Sequence, residues 1–177
     1  DKGAASDLAY RKGSFLLVKA GTGIGAGIVI NGEIYRGAKG AAGDIGHIGI
    51  DGDGTLCRCG NTGCLEAVAG GRALAARAQA AARGDRSPYL AEALDRGEAL
   101  DAEALARGAA CGDEECLRLV ASAGAYLGTV LAKLVNFFNP SLIVISGGLT
   151  NLGERFIASV RESIYSRSTP LDRKSVV

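Results

Sequence analysis

Methionine is absent from the sequence altogether, position 1 included. A chain without an initiator residue is expected to be a piece of a longer one. Missing too is any excess of charge of one sign: 20 Lys and Arg face 19 Asp and Glu, for a formal net charge of +1. That balance leaves no electrostatic case for nucleic-acid binding by this piece, because such binding neutralises phosphates with a basic surface. No apolar run approaches the roughly 18 residues that span a bilayer, and the start carries no secretory pattern. These absences predict a soluble, cytoplasmic chain with no membrane partner. An even cysteine count is lacking as well. Three of the five cysteines are bunched at Cys57, Cys59 and Cys64, which suits a metal in a reducing compartment better than a disulfide framework. Histidine is nearly absent, and the single one, His47, falls in the same stretch.

What is present is enough for a real core. The 177 residues are 47% apolar and 22% charged, a length that fits one compact domain or two small ones. The organising stretch runs from Gly43 to Glu66, GDIGHIGIDGDGTLCRCGNTGCLE. His47, Cys57, Cys59 and Cys64 place four donors within 18 positions, separated by glycine turns. Zinc takes four such donors at tetrahedral corners, and short Cys spacings let one tight loop supply three of them. Asp44 and Glu66 flank the cluster and are better placed to meet a polar ligand. The stretch therefore reads as a zinc knot that fixes the geometry of a neighbouring polar pocket.

Before it, Ser14–Lys19 is a strand candidate. Gly21–Gly27 (GTGIGAG) follows, and apolar residues flank Asn31-Gly32, a strong hairpin signal. Residues 14–36 thus predict three consecutive antiparallel strands. The glycines fit neither a dinucleotide fingerprint, since a hairpin follows them and not a helix, nor a Walker loop, which needs Gly-Lys-Ser/Thr. They read either as a tight strand turn or as a backbone cradle for a phosphate, with the Thr22 hydroxyl as an added donor. After the zinc-like loop, residues 65–83 are helix-permissive with a break at Gly70-Gly71. Two short helices are expected at 89–94 and 101–107. The longest helical pattern is 113–138, begun by Asp113 and Glu114 and stopped by Pro140. Ser141–Ile145 reads as a buried strand, Ser146-Gly147-Gly148 as a sharp turn, and Leu152–Arg167 as an amphipathic helix. That turn is either plain βα geometry or an anion site at a helix N-terminus. Cys111 and Cys116 read as buried thiols, and Arg72, Arg77 and Arg83 as a solvated helix face.

Three segments, GTGIGAGIVINGEIYRGAKGAAGDIGH, CRCGNTGCLEAVAGG and IVISGGLTNLGERF, resemble the ROK family of repressors, open reading frames and sugar kinases. The resemblance runs from about Phe15 to about Ile164 and is most specific at the histidine followed by C-x-C-G-x-x-G-C-L-E. It implies an actin-like, ribonuclease-H-like α/β fold with a mixed sheet flanked by helices and an inserted zinc-binding loop. Residues 1–177 would be the C-terminal lobe. It further implies zinc on His47, Cys57, Cys59 and Cys64, and sugar hydroxyls on Asp44, His47 and Glu66. Nucleotide would lie on Gly21, Thr22, Gly23, Gly147 and Gly148. A zinc-held histidine can still present its other ring nitrogen to a hydroxyl.

Two departures stand out. Family kinases carry Glu where this chain has Asp44, an arm shorter by about 1.5 Å. The family's Asn-Asp general base and first phosphate motif have no counterpart here, so the piece is expected not to phosphorylate anything. The wording around His47 and Cys59–Cys64 resembles repressors more than kinases. The expectation is a sugar-sensing part of a regulator, a homodimer or larger, that meets DNA only through an N-terminal winged helix outside this sequence. The alternatives are a lobe of an ATP- and magnesium-dependent glucokinase-like enzyme, or a zinc-stabilised domain that only dimerises.

Overall fold

The computed structural model describes residues 13–168. The expectations for the two ends of the chain lie outside those residues. Four strands form one mixed sheet in the order β3-β2-β1-β4: β1 (Phe15–Ala20), β2 (Ile24–Ile30), β3 (Glu33–Tyr35) and β4 (Leu142–Ser146). β1 runs antiparallel to β2, with Leu17 opposite Gly27, and parallel to β4, with Leu17 opposite Val144. The expected three-stranded meander is therefore present. The β2–β3 turn is closed by Asn31 and Gly32, both at positive φ (53° and 83°), the backbone twist that suits a tight hairpin.

Among the described residues there are six α-helices: α1 (Leu65–Ala69), α2 (Gly71–Arg83), α3 (Pro88–Asp95), α4 (Ala102–Ala110), α5 (Glu114–Phe138) and α6 (Glu154–Arg167). Side-chain caps set several starts. Ser87 accepts from the Leu90 N–H, Asp101 from those of Glu103 and Ala104, and Asp113 from that of Cys116, satisfying amides that have no partner inside the helix. Asn139, left-handed at φ 47°, ends α5 before Pro140.

Alternation along β1 sends Leu16, Val18 and Ala20 into the core, where Ile24, Ile143, Leu65, Leu119, Leu127 and Leu131 join them. Leu17 and Val144 on the opposite face are 45% and 37% exposed, and Ile34 is 65% exposed. α5 is long and apolar enough to cross a membrane by composition alone, contrary to the expectation of no such segment. Its apolar positions are instead the centre of the core, with Leu119, Val120, Leu127, Val130 and Leu131 all at most 1% exposed.

α5 and α6 approach closely through Gly124 and Gly128. A Cβ at Gly128 would lie 2.5 Å from the Val160 carbonyl oxygen. Gly128→Ala is therefore expected to destabilise by about 1–3 kcal/mol through overpacking, outweighing the roughly 1 kcal/mol of helix propensity gained. The urea midpoint should fall with an unchanged m-value.

Two expectations need correction. α6 starts at Glu154, not Leu152, because a 3-10 turn (Gly148–Leu152) intervenes and Gly153, at φ 80°, breaks the backbone. Gly147 and Gly148 thus do not open the α-helix. Cys111 is exposed, and only Cys116 is buried, since Cys111 already lies past the end of α4. Burial pushes the Cys116 thiol up to about 12.

Candidate functional site

β1 delivers the chain to a turn at Gly21–Gly23, where the Gly21 N–H donates to the Gly23 carbonyl at 3.0 Å. The α1–α2 joint docks on this turn through its double glycine. Gly71 N–H donates to the Gly21 carbonyl at 2.8 Å, and a Cβ at Gly71 would crowd that oxygen at 3.1 Å. The result brings Glu66, in the first turn of α1, over the strand turn. Its carboxylate accepts the Ile24 N–H at 3.3 Å and meets the Arg58 guanidinium at 3.5 Å. A Cβ at Gly23 would lie 2.5 Å from a Glu66 carboxylate oxygen, so glycine there is what admits the acid.

The turn carrying Asp44 and His47 packs on the same place. Gly43 sits at φ 96° against β2, where a Cβ would overlap the Ala26 carbonyl. A Cβ at Gly46 would touch the Glu66 Cβ at 3.4 Å. From His47 the chain loops out and returns through Cys57, Cys59 and Cys64, tied by Cys57 N–H to the Asn61 carbonyl at 2.7 Å and Gly63 N–H to the Thr55 carbonyl at 2.8 Å. The His47 Nδ1 and Cys57 Sγ atoms are 3.6 Å apart, as are the Cys59 and Cys64 sulfurs. All four donor atoms lie within 4.8 Å of one another, so the cluster could hold a metal ion. Burial pushes the Cys64 thiol up to about 12, whereas the Asn61 backbone N–H lowers that of Cys59. His47 turns its other nitrogen outward, with Nε2 4.0 Å from Asp44 Oδ1.

The loop is also tethered from outside. Arg77 reaches Asp53 at 3.9 Å and lies 5.9 Å over the Tyr126 ring. Hydrogen bonds from Thr55 hold the Asp53 carboxyl below its usual range.

Two clefts meet at the strand turn. One, of about 190 Å³, is lined by Thr22, Leu56, Arg58, Glu66 and Arg72 among others. The second, of about 370 Å³, is lined by Gly21, Thr22, Arg72, Asp101, Glu103 and Gly148 among others. The model of the ROK family matches residues 7–175. The chain belongs to the ROK family. A xylose repressor of Caldicellulosiruptor bescii is 34% identical over 168 residues, covering 94% of this chain and 40% of the repressor. A ROK family transcriptional regulator, homologous to the E. coli MLC protein, superposes at TM-score 0.82 with 32% identity, over 93% of this chain and 40% of the regulator. A ROK family glucokinase from Streptomyces griseus, solved with glucose and AMPPNP, superposes at TM-score 0.76 with 31% identity, over 92% of this chain and 55% of the kinase. The chain thus spans about half or less of each of these ROK proteins.

Of the positions expected to contact nucleotide, Gly21, Thr22 and Gly148 line the larger cleft. Gly23 and Gly147 serve as close-approach positions instead: Gly147, at φ 101°, lies where a Cβ would be 2.5 Å from the Ala20 carbonyl. Of the positions expected to contact sugar, Glu66 lines the smaller cleft. Asp44 borders a different, apolar groove of about 260 Å³ with Ile28, Leu134 and Phe137. His47 lines neither; its Nε2 lies 4.0 Å from Asp44 Oδ1 and its Nδ1 3.6 Å from Cys57 Sγ. The solvated-face reading holds for Arg72 and Arg83, which are exposed, with Arg72 lining both open clefts; it is corrected at Arg77, which is partly buried and tied to the loop through Asp53. Arg58 and Arg72 were not singled out as site residues. No local signal marks them, because the loop and α2 converge only in three dimensions.

Proposed function

We propose that the chain is the C-terminal, sugar-sensing lobe of a ROK transcriptional regulator, pinned by a zinc ion on His47, Cys57, Cys59 and Cys64. The observation that carries the reading is the donor cluster beside the Asp44–His47 turn and Glu66. Zinc–sulfur bonds of about 2.3 Å and zinc–nitrogen bonds of about 2.0–2.1 Å give tetrahedral edges of about 3.8 Å (S···S) and 3.6 Å (S···N). The two close donor pairs, each at 3.6 Å, match those edges. Zinc would fix the His47 ring through Nδ1, leaving Nε2 and the Asp44 and Glu66 carboxylates to meet sugar hydroxyls. The exposed Leu17, Ile34 and Val144 and the length of the relatives fit further structure against the sheet. Such structure would carry sugar occupancy to a DNA-binding part or a second copy.

Zinc binding must strip protons from the three thiols. Thiols bound to metal stay deprotonated while the free cluster regains its protons as pH falls, so affinity weakens on acidification. The loss should approach roughly a thousandfold per pH unit near neutrality. Calorimetric titrations in buffers of different ionisation enthalpy should report about three protons released per zinc.

A second reading, the C-terminal lobe of an ATP- and magnesium-dependent sugar kinase, is favoured by the cleft that joins Gly21, Thr22 and Gly148. Because this piece by itself is expected not to phosphorylate under either reading, the two part in a coupled assay on the longer protein to which the proposal assigns it, with magnesium, ATP and a panel of hexoses. The regulator gives sugar-dependent thermal stabilisation with no ADP formed. Sustained sugar-dependent ADP release would overturn that reading and establish the kinase.

A further inference from the structure

We infer that Arg77 is a positioning residue that keeps the metal loop closed, so that an ion once bound leaves slowly. The inference rests on the zinc reading of His47, Cys57, Cys59 and Cys64 and extends it to how the ion is retained. Between His47 and Cys57 the chain swings out through residues 48–56 before it returns to the cluster. Asp53 holds that limb in shape. Its Oδ1 accepts the Thr55 N–H at 2.8 Å, and the Thr55 carbonyl accepts the Gly63 N–H at 2.8 Å. A Cβ at Gly63 would lie 2.6 Å from the Asp53 carbonyl oxygen. Thr55 stands just before Leu56 and Cys57, and Gly63 just before Cys64. A shift of Asp53 therefore pulls on the backbone that carries two of the three sulfurs.

Among the described residues two ion pairs tie this limb to helices. Asp51 meets Lys133 of α5 at 3.6 Å, but these side chains are 96% and 47% exposed, and such pairs contribute little. Asp53 meets Arg77 of α2 at 3.9 Å, with the two side chains only 16% and 31% exposed. At that distance the contact is charge attraction and not a hydrogen bond, and partial burial protects it from screening. The Arg77 guanidinium is itself held in place, 5.9 Å over the Tyr126 ring of α5, within reach of cation–π attraction. One side chain thus joins α2, α5 and the metal loop. Cys57 and Cys64 are buried but Cys59 is exposed, so water and chelators have access to the cluster, and retention depends on the limb staying in place. Partners that orient metal ligands from outside change metal affinity by about 10–100-fold.

Zinc transfer from the loaded protein to an excess of a chromophoric chelator tests the inference. Arg77→Ala is expected to release zinc about 10–100-fold faster than the unaltered protein. Arg77→Glu, which repels Asp53, should be faster still, and Arg77→Lys, which keeps a cation, intermediate. Lys133→Ala should release at the unaltered rate. Cobalt(II) in place of zinc should give Arg77→Ala the same thiolate charge-transfer and d–d absorption, since no donor changes. Raising the salt concentration should speed release from the unaltered protein, and that dependence should largely vanish in Arg77→Ala. Release from Arg77→Ala at the unaltered rate, or equal acceleration in Lys133→Ala, overturns the inference. A salt-independent rate in the unaltered protein overturns it with no variant needed. A matching fall in the melting temperature of chelator-treated Arg77→Ala makes the residue a structural one and overturns it too. Failure of the unaltered protein to take up zinc overturns the zinc reading itself, and the inference with it.

Discussion

Replacing Cys64 with serine is expected to abolish the proposed zinc binding and to lower stability more than any other single change in the loop. Cys64 is 1% exposed and does three things at once. It supplies one donor of the four, it stands at the N-cap of α1, and it pairs with Gly49 in an isolated bridge that holds the Asp44–His47 turn to the helix carrying Glu66. Serine keeps the size but offers zinc a hard, weakly acidic hydroxyl. Metal content should fall from about one ion per chain to near zero. With free zinc about a thousandfold above its dissociation constant, the stabilisation lost is roughly 4 kcal/mol, or about 8–16 °C in melting temperature for a domain of this size. Treating the unaltered protein with a chelator should reproduce most of that shift. A metal-free protein that melts at the same temperature and keeps its fold would refute the zinc assignment.

Glu66→Gln should have the second large effect, on ligand and not on metal. The change removes a charge while keeping shape, so the Ile24 N–H retains an acceptor and the turn at Gly23 stays in place. On the proposed reading, what would be lost is the acceptance of sugar hydroxyls by a carboxylate, about 2–4 kcal/mol when two such bonds weaken together. Sugar affinity should fall roughly 30- to 1000-fold, read as the disappearance of sugar-induced thermal stabilisation. Metal content should stay at that of the unaltered protein, which separates this variant from Cys64→Ser. Unchanged sugar affinity in Glu66→Gln would move the ligand to another part of the molecule.

Much of this site was legible before any coordinates. The four side chains that could hold a metal ion lie within one short segment, and glycine turns between them can be closed by local backbone geometry, so their convergence needed no knowledge of the rest of the chain. The β2–β3 hairpin was legible for the same reason: Asn31 and Gly32 tolerate positive φ, and their neighbours cannot avoid pairing. The long helix α5 announced itself through its period and its Asp113 cap. Even the break at Gly70-Gly71 could be placed, though not its use as the docking point for the Gly21 carbonyl.

What sequence alone determined, then, is what neighbours in the chain can settle between themselves: the clustering of His47 with Cys57, Cys59 and Cys64, the turns, the caps and the periodic faces. Tertiary structure decided which of those parts meet. β1 finds β4 as its parallel partner, and the Ser141 hydroxyl and N–H both reach the Ser14 carbonyl across 127 positions. That pairing brings Gly148 beside Gly21 and Thr22. Packing of α2 on the strand turn sets Arg72 opposite the zinc-like loop, and seating of Gly43 on Ala26 puts Asp44 on a different groove from Glu66. None of these meetings carries a local mark, because the energy that selects them comes from burying Leu16, Val18, Leu65 and Leu127 together, a gain that depends on apolar area removed from water and not on sequence order.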